Sequence, residues 1–219
     1  MSPDHLIEYW SVLDGQTVHP DDQAVLPPGQ FAVDLEPLPW NGPLRSARAY
    51  ILFINPGLPP DGVSPDDYEY EQRPVFREAL RFNLTGNSPY IYLQRKFADH
   101  PGNRWASRLF GRDIGEVQAD RMCVVQLVAY HCKDGGPAKR VARRLPSSQK
   151  SIRFVHEWVV PRANAGEIGL IVAQAAEQWG FSPADECQST IVYRGGECRG
   201  AYQTVNTRGG RLLRRLISN

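Results

Sequence analysis

Three uninterrupted apolar runs place the strongest constraint on the fold of this chain. They cover Tyr50 to Ile54, Met122 to Ala129 and Ile168 to Ala173, and Gln126 is the one amide side chain within them. A strand that does not alternate between polar and apolar residues is covered on both faces, as in a parallel sheet between two layers of helices. The runs therefore predict buried, parallel strands.

Helical periodicity between these runs supports the same architecture. The predicted helices cover residues 4–13, 74–82, 103–110, 137–144 and 149–164, a helix that Gly180 ends, and a C-terminal helix from Arg211. A last strand is predicted over Tyr202 to Val205, after a hairpin-like stretch around Ile191 to Gly200. We expect an α/β protein, a three-layer α/β/α fold with a central, mostly parallel four-stranded sheet.

A length of 219 residues suits one sizeable core, so residues 1–219 are expected to form a single domain. Residues 1–45 are interpreted as an N-terminal helix and a proline-rich segment that wraps the surface.

Composition argues against several classes of protein. No apolar run is long enough to cross a membrane, and the acidic, amphipathic N-terminus is unlike a secretory signal, so we expect a cytoplasmic protein. The four cysteines form no C-x-x-C pair, so neither a metal nor another cofactor is expected.

Charge is unevenly distributed along the chain. Residues 1–75 contain 3 basic and 12 acidic side chains, whereas residues 76–219 contain 22 basic and 12 acidic ones. The basic portion could present a positive face to a phosphate backbone, although a solvated surface of mixed charge explains the same composition.

Polar residues follow the predicted strands directly. Asn55, the pair Tyr130 and His131, and Asn206 each stand where a strand is predicted to end. Ligand sites in open α/β sheets lie beyond the carboxyl ends of the strands, so these residues are candidates for one site.

Four motifs in this order resemble the uracil-DNA glycosylase superfamily, most closely its mismatch-specific (thymine/uracil) branch. They are I-L-F-I-N-P-G-L at 51–58, H-P-G-N-R-W at 100–105, I-V-A-Q-A-A-E-Q-W-G-F at 171–181 and V-N-T-R-G-G at 205–210. Two departures stand out: Thr207 and Arg208 replace the family's usual Pro-Ser, and residues 58–99 form an insertion.

The resemblance implies a monofunctional DNA glycosylase, which extrudes a base from the stack and hydrolyses its bond to the sugar. It implies that Asn55 orients the attacking water and that Asn206 stabilises the base or clamps a phosphate, so both are catalytic candidates. Gln126 would read the edge of the base, although a core amide bonded to neighbouring backbone explains it equally well.

Further binding roles complete the expected site. Pro56, Gly57 and His131 are expected to contact the base. The expected DNA contacts are Arg208, Gly209, Lys139 and Arg140.

The insertion and Gln126 suggest a base other than plain uracil, such as a modified base of a phage genome. An aromatic residue of the insertion, among them Tyr68, Tyr70, Phe76 and Tyr92, is a candidate for stacking on it. DNA is the expected partner. The protein is expected to be a monomer that acts in DNA repair or in defence against phage. The alternatives are an N-glycosidase of free nucleosides and an inactive superfamily member that binds nucleic acid or a protein.

Overall fold

The computed structural model describes residues 1–58 and 73–218 and has a five-stranded sheet. The strands, in chain order, are β1 Trp40–Asn41, β2 Ala49–Phe53, β3 Met122–Gln126, β4 Gly169–Val172 and β5 Thr190–Val192. Their order in the sheet is β1-β3-β2-β4-β5, and every pair is parallel except β1 with β3. The predicted α/β class with a mostly parallel sheet is confirmed.

Helices cover both faces of this sheet. They are α1 Pro3–Ser11, α2 Pro74–Asn83, α3 Pro101–Phe110, α4 Gly135–Val141, α5 Pro146–Phe154, α6 Val160–Asn164, α7 Ala176–Trp179, α8 Glu197–Gly200 and α9 Arg208–Ile217. A π-helical turn, Val155–Val159, joins α5 to α6. The helix predicted over 149–164 therefore begins at Pro146, and Gly180 follows the end of α7 as expected.

Alternate residues of each central strand enter two separate cores. On one face Tyr50, Leu52 and Val125 pack with residues of α1, α4, α5 and α6. On the other face Ile51 and Val124 pack with residues of α3 and α9. Burial on both faces explains why the strands lack polar alternation.

The predicted number of strands is wrong, because β1 adds a fifth strand within the segment interpreted as a surface wrap. Trp40 pairs with Val125 and Asn41 with Val124. A two-residue strand next to several prolines carries too little periodicity to be found from sequence.

The predicted position of the last strand is also wrong. Pairing with β4 occurs at Thr190–Val192, inside the stretch interpreted as hairpin-like, and residues 202–205 form no strand. In that segment the Gln203 backbone N–H donates to the Leu109 carbonyl instead, at 2.7 Å. Helix α9 then begins at Arg208, three residues before the predicted start.

The N-terminal segment is tied to the core by one buried carboxylate. Asp22 is fully buried, accepts a hydrogen bond of 2.6 Å from the Tyr130 hydroxyl, and accepts another of 3.1 Å from the Ser147 backbone N–H. The His19 backbone N–H in turn donates to the Tyr130 hydroxyl oxygen at 3.1 Å.

The described part of the insertion has a small core of its own. Phe76 and Leu80 of α2 pack with Ile91, Phe97 and Leu38. Tyr68 and Tyr70 lie outside the described residues, so their candidacy as stacking residues stays a prediction.

Two further observations concern the described residues alone. No helix among them has the length and apolarity needed to cross a membrane. Nor do three or more of their His, Cys, Asp or Glu side chains cluster in a way that could hold a metal ion.

The start of α9 provides a test of the packing. A Cβ atom at Gly210 would lie 1.8 Å from the Thr204 carbonyl oxygen, a backbone atom that cannot move aside cheaply. We expect Gly210→Ala to lower the free energy of unfolding by about 1–3 kcal/mol or more, measured by urea denaturation. Gly115→Ala is the matched control, because a Cβ there meets nothing within 4 Å; equal effects of the two substitutions would contradict the described packing.

Candidate functional site

A cleft of about 1160 Å³ opens at the carboxyl ends of β2 and β3. Phe53, Val124 and Gln126 line it from the sheet. The turn 55–57 and the N-terminal part of α3 form further parts of its wall. A second hollow of about 770 Å³ lies beside α1, and Tyr9 and His19 are among the residues that line it.

Asn55 enters the cleft on a turn that the neighbouring chain segment holds in place. Its side-chain Nδ2 donates to the Pro56 carbonyl at 2.8 Å and to the Cys132 carbonyl at 3.3 Å. These two bonds fix the orientation of the amide and use its Nδ2 group, whereas no described residue donates a hydrogen bond to Oδ1. An amide oxygen held in this way can accept a hydrogen bond from a water molecule or a ligand.

Pro56 and Gly57 continue the wall of the cleft. Gly57 forms a parallel bridge with Cys132, and the Cys132 N–H donates to the Pro56 carbonyl at 3.3 Å. A Cβ atom at Gly57 would meet nothing within 4 Å, so this glycine leaves open space beside Asn55.

His131 lies behind this turn and does not line the cleft. Its ring is buried, and its Nδ1 is 3.2 Å from the Gly57 carbonyl oxygen. Burial holds the pKa of His131 below its usual value, which favours a neutral ring that donates to that carbonyl. The structure thus gives His131 a supporting position and not the predicted contact with a base.

Gln126 does line the cleft, at the end of β3. Its residue is 5 % exposed, its side-chain Oε1 is buried without a hydrogen-bond partner, and no described group bonds its Nε2. The alternative of a core amide bonded to neighbouring backbone is therefore not what the described residues show. An unpaired buried amide is costly, and a bound ligand with a complementary edge would relieve that cost.

Asn206 is exposed and is not among the residues that line this cleft. Its carbonyl accepts a hydrogen bond of 3.2 Å from Arg211. The segment between β5 and α9 reaches the cleft instead through Arg199 and Gly200 of α8. Of the two predicted catalytic residues, the structure brings one, Asn55, together with Gln126.

Arg208 and Gly209 are occupied by the protein itself. The Arg208 guanidinium forms ion pairs of 2.7 Å with Glu186 and 2.8 Å with Glu197, and these carboxylates raise its pKa further. Gly209 is buried, and a Cβ there would lie 2.4 Å from Gln203 Oε1. Both residues stabilise the start of α9, a position unlike the predicted DNA contact.

Lys139 and Arg140 lie on exposed turns of α4 outside the cleft lining, and Arg140 donates to Gln30 at 3.1 Å. The N-terminal end of α4 borders the cleft through Asp134, whose Oδ1 caps the helix by accepting from the Gly136 N–H at 2.7 Å. Asp134 is the one acidic residue among the described residues that line the cleft.

A set of basic side chains around the cleft was missed in the sequence. None of them has a carboxylate within ion-pair distance among the described residues. They are Arg104, Arg108, Arg112, Lys133 and Arg199. The first three follow each other at a spacing of four residues along and just beyond α3, a pattern that could have indicated one charged helix face.

Trp105 was also missed as a single residue, although it closes the motif H-P-G-N-R-W. Its side chain lines the cleft, is 39 % exposed and packs edge-on against Phe53 with 6.0 Å between ring centroids. An exposed tryptophan next to unpaired arginines is an uncommon surface, and its flat face is suited to stacking a heterocycle.

Comparisons of this chain with protein-family models, with curated proteins and with solved structures gave no match.

Two histidines of this region make stability depend on pH. Burial lowers the pKa of His100, which caps α3, from 6.5 to about 4, and burial also lowers the pKa of His131. Between pH 6.5 and about 4 the unfolded chain binds a proton at His100 that the folded chain does not, so stability falls as the pH falls. The lowered pKa of His131 acts in the same direction.

We expect His100 to lower the free energy of unfolding by up to about 1.4 kcal/mol per pH unit between pH 6.5 and 5, measured by urea denaturation. His100→Asn, which retains a capping side chain, should remove part of this slope. An unaltered slope in His100→Asn would refute the assignment.

Proposed function

We propose that this protein is a DNA glycosylase, which hydrolyses the N-glycosidic bond of a base extruded into the cleft at the ends of β2 and β3. One observation carries the proposal: the cleft combines the free Oδ1 of Asn55, the unpaired amide of Gln126 and the exposed face of Trp105. The resemblance of the four sequence motifs points to the same activity.

The proposed chemistry divides among these residues. The base stacks on Trp105 and meets Gln126 at its edge. Asn55 Oδ1 accepts a hydrogen bond from a water molecule and directs the water's oxygen toward the sugar carbon. An amide is a poor base, so the positive charge that develops on the sugar activates the water, and Asn55 acts by orientation.

Charge supports DNA as the ligand. Five unpaired cations and one carboxylate line the cleft among the described residues, and this excess of positive charge suits a phosphate backbone. The same cations stabilise the negative charge that develops on the departing base. Asn206 and Arg208 have no part in this mechanism, because the first lies outside the cleft lining and the second is held by two glutamates.

The positive lining favours a polymer over a free nucleoside, which offers no phosphate. A second candidate function is binding of nucleic acid without catalysis. The position of Asn206 favours it, because the cleft then lacks one of two expected catalytic side chains. The base remains proposed as a modified one, since Tyr90 and Tyr92 of the insertion also line the cleft. We further propose that the protein acts as a monomer in the cytoplasm.

Asn55 separates the two functions. We expect Asn55→Ala to lower the rate of base release at least a hundredfold while DNA affinity changes by less than threefold, because Asn55 orients the water and does not grip the DNA. Oligonucleotides carrying uracil, hypoxanthine or modified cytosines would be incubated with the protein, and alkali would reveal abasic sites. Asn206→Ala is the matched control and should retain the full rate of base release. If neither the wild type nor any variant released a base, the proposed hydrolysis would be wrong, and nucleic-acid binding without catalysis would be the function that the result supports.

The basic residues around the cleft predict how DNA affinity responds to salt. We expect Arg104→Ala with Arg108→Ala to reduce the slope of log affinity against log salt by about 0.7–0.9 for each phosphate that the variant no longer neutralises. The control pair, Lys139→Ala with Arg140→Ala, removes two exposed charges of α4 and should leave the slope near that of the wild type. The slopes of both variants would be measured by fluorescence anisotropy of a labelled oligonucleotide at salt concentrations of about 50 to 300 mM, where phosphate contacts weaken. A larger change of slope in the control pair than in Arg104→Ala with Arg108→Ala would place the DNA path along α4 instead.

A further inference from the structure

Asn41 lines the same cleft and belongs to none of the sequence motifs. It lies on β1 opposite Val124, and Gln126 stands two residues further along β3. Side chains two residues apart on a strand share a face, so Asn41, Val124 and Gln126 lie on the cleft side of the sheet. Asn41 and Gln126 are diagonal neighbours across the strand pair, a separation that a long side chain can bridge.

The orientation of the Asn41 amide is fixed by the backbone. Its Oδ1 accepts a hydrogen bond of 2.7 Å from the Ile91 N–H, so the other side-chain atom, Nδ2, is a donor. Asn41 is 1 % exposed, and Nδ2 is buried without a partner.

Two buried amide atoms at one cleft are thus unpaired, and they are of opposite kinds. Asn41 Nδ2 is a donor that lacks an acceptor, and Gln126 Oε1 is an acceptor that lacks a donor. Because buried polar groups in folded proteins are nearly always paired, the pair is expected to close when the cleft is filled and water is excluded.

We propose that Asn41 is a positioning residue that sets the hydrogen-bonding direction of Gln126. In the occupied cleft Asn41 Nδ2 donates to Gln126 Oε1, and this bond turns the Gln126 Nε2 group toward the base as a donor. The site then selects bases that present an acceptor on this edge, such as the keto oxygen of a uracil-type or hypoxanthine-type base. Bases with an amino group at that place meet a second donor and are rejected.

This inference rests on the proposed function for its substrate, and its test uses the direction of selectivity. Asn41→Asp keeps an acceptor for the Ile91 N–H and replaces the donor Nδ2 by an oxygen. That oxygen accepts from Gln126 Nε2, so Gln126 Oε1 turns toward the base. We expect the ratio of kcat/KM for a keto base to that for an amino base, in otherwise identical oligonucleotides, to fall at least tenfold.

Two controls separate positioning from a general loss of structure. Asn164→Asp makes the same chemical change at an exposed site of α6 and should leave the ratio unaltered. Asn41→Ala adds no charge and should bring the ratio toward one; it replaces the aspartate variant if that variant fails to fold. In a Gln126→Ala background, neither change at Asn41 should alter the ratio any further.

Nuclear magnetic resonance of the side-chain amides gives a readout that does not need catalysis. Free uracil and free cytosine would be titrated into labelled wild type and into Asn41→Asp, with the Gln126 side-chain signal followed. In the wild type, uracil should shift that signal and bind more tightly than cytosine. In Asn41→Asp, cytosine should bind more tightly than uracil. A folded Asn41→Asp with an unchanged preference overturns the inference. Reversal of binding without any base release supports the inference and overturns the proposed hydrolysis instead.

Discussion

The pairing of β2 with β3 does not stop where the two strands end, and the site depends on this continuation. Beyond the strands, the Leu127 N–H donates to the Phe53 carbonyl at 3.0 Å and the Val128 N–H to the Ile54 carbonyl at 2.9 Å. The bridge between Gly57 and Cys132 then closes the turn against the neighbouring segment. These backbone bonds hold the amide of Asn55 beside the end of β3, so main-chain hydrogen bonds set the position of this side chain in the cleft.

This arrangement explains which parts of the molecule could be predicted from the sequence. Tyr50 to Ile54 and the runs around Val125 and Leu170 are apolar on both faces because helices cover both faces, and such burial is written directly into residue type. The location of Asn55 at a strand end follows from the same pattern. Element order therefore sufficed to bring Asn55 and Gln126 to one edge of the sheet.

The C-terminal part could not be predicted in the same way. The strand β5 is only three residues long, with Ile191 half-buried, and a run this short is as compatible with a hairpin as with a strand of the central sheet. Misplacing this strand moved Asn206 and Arg208 into the expected site. Whether an arginine faces solvent or two carboxylates depends on residues distant in the chain, here Glu186 and Glu197, which no local pattern reveals. Asn41 escaped notice for a related reason, since the two-residue strand β1 is defined by its partner.

The buried carboxylate of Asp22 has a consequence for the boundaries of the domain. The Tyr130 hydroxyl that it accepts from belongs to the segment leading to His131 and Cys132, and those two residues contact the turn that carries Asn55. The N-terminal segment around Asp22 is thus part of the folded core and supports the turn that carries Asn55. A fragment that begins after Asp22 would leave the Tyr130 hydroxyl and the Ser147 backbone N–H without this hydrogen-bond acceptor in an apolar core. The loss of these hydrogen bonds would loosen the segment from Tyr130 to Cys132 and, through it, the cleft wall at Asn55.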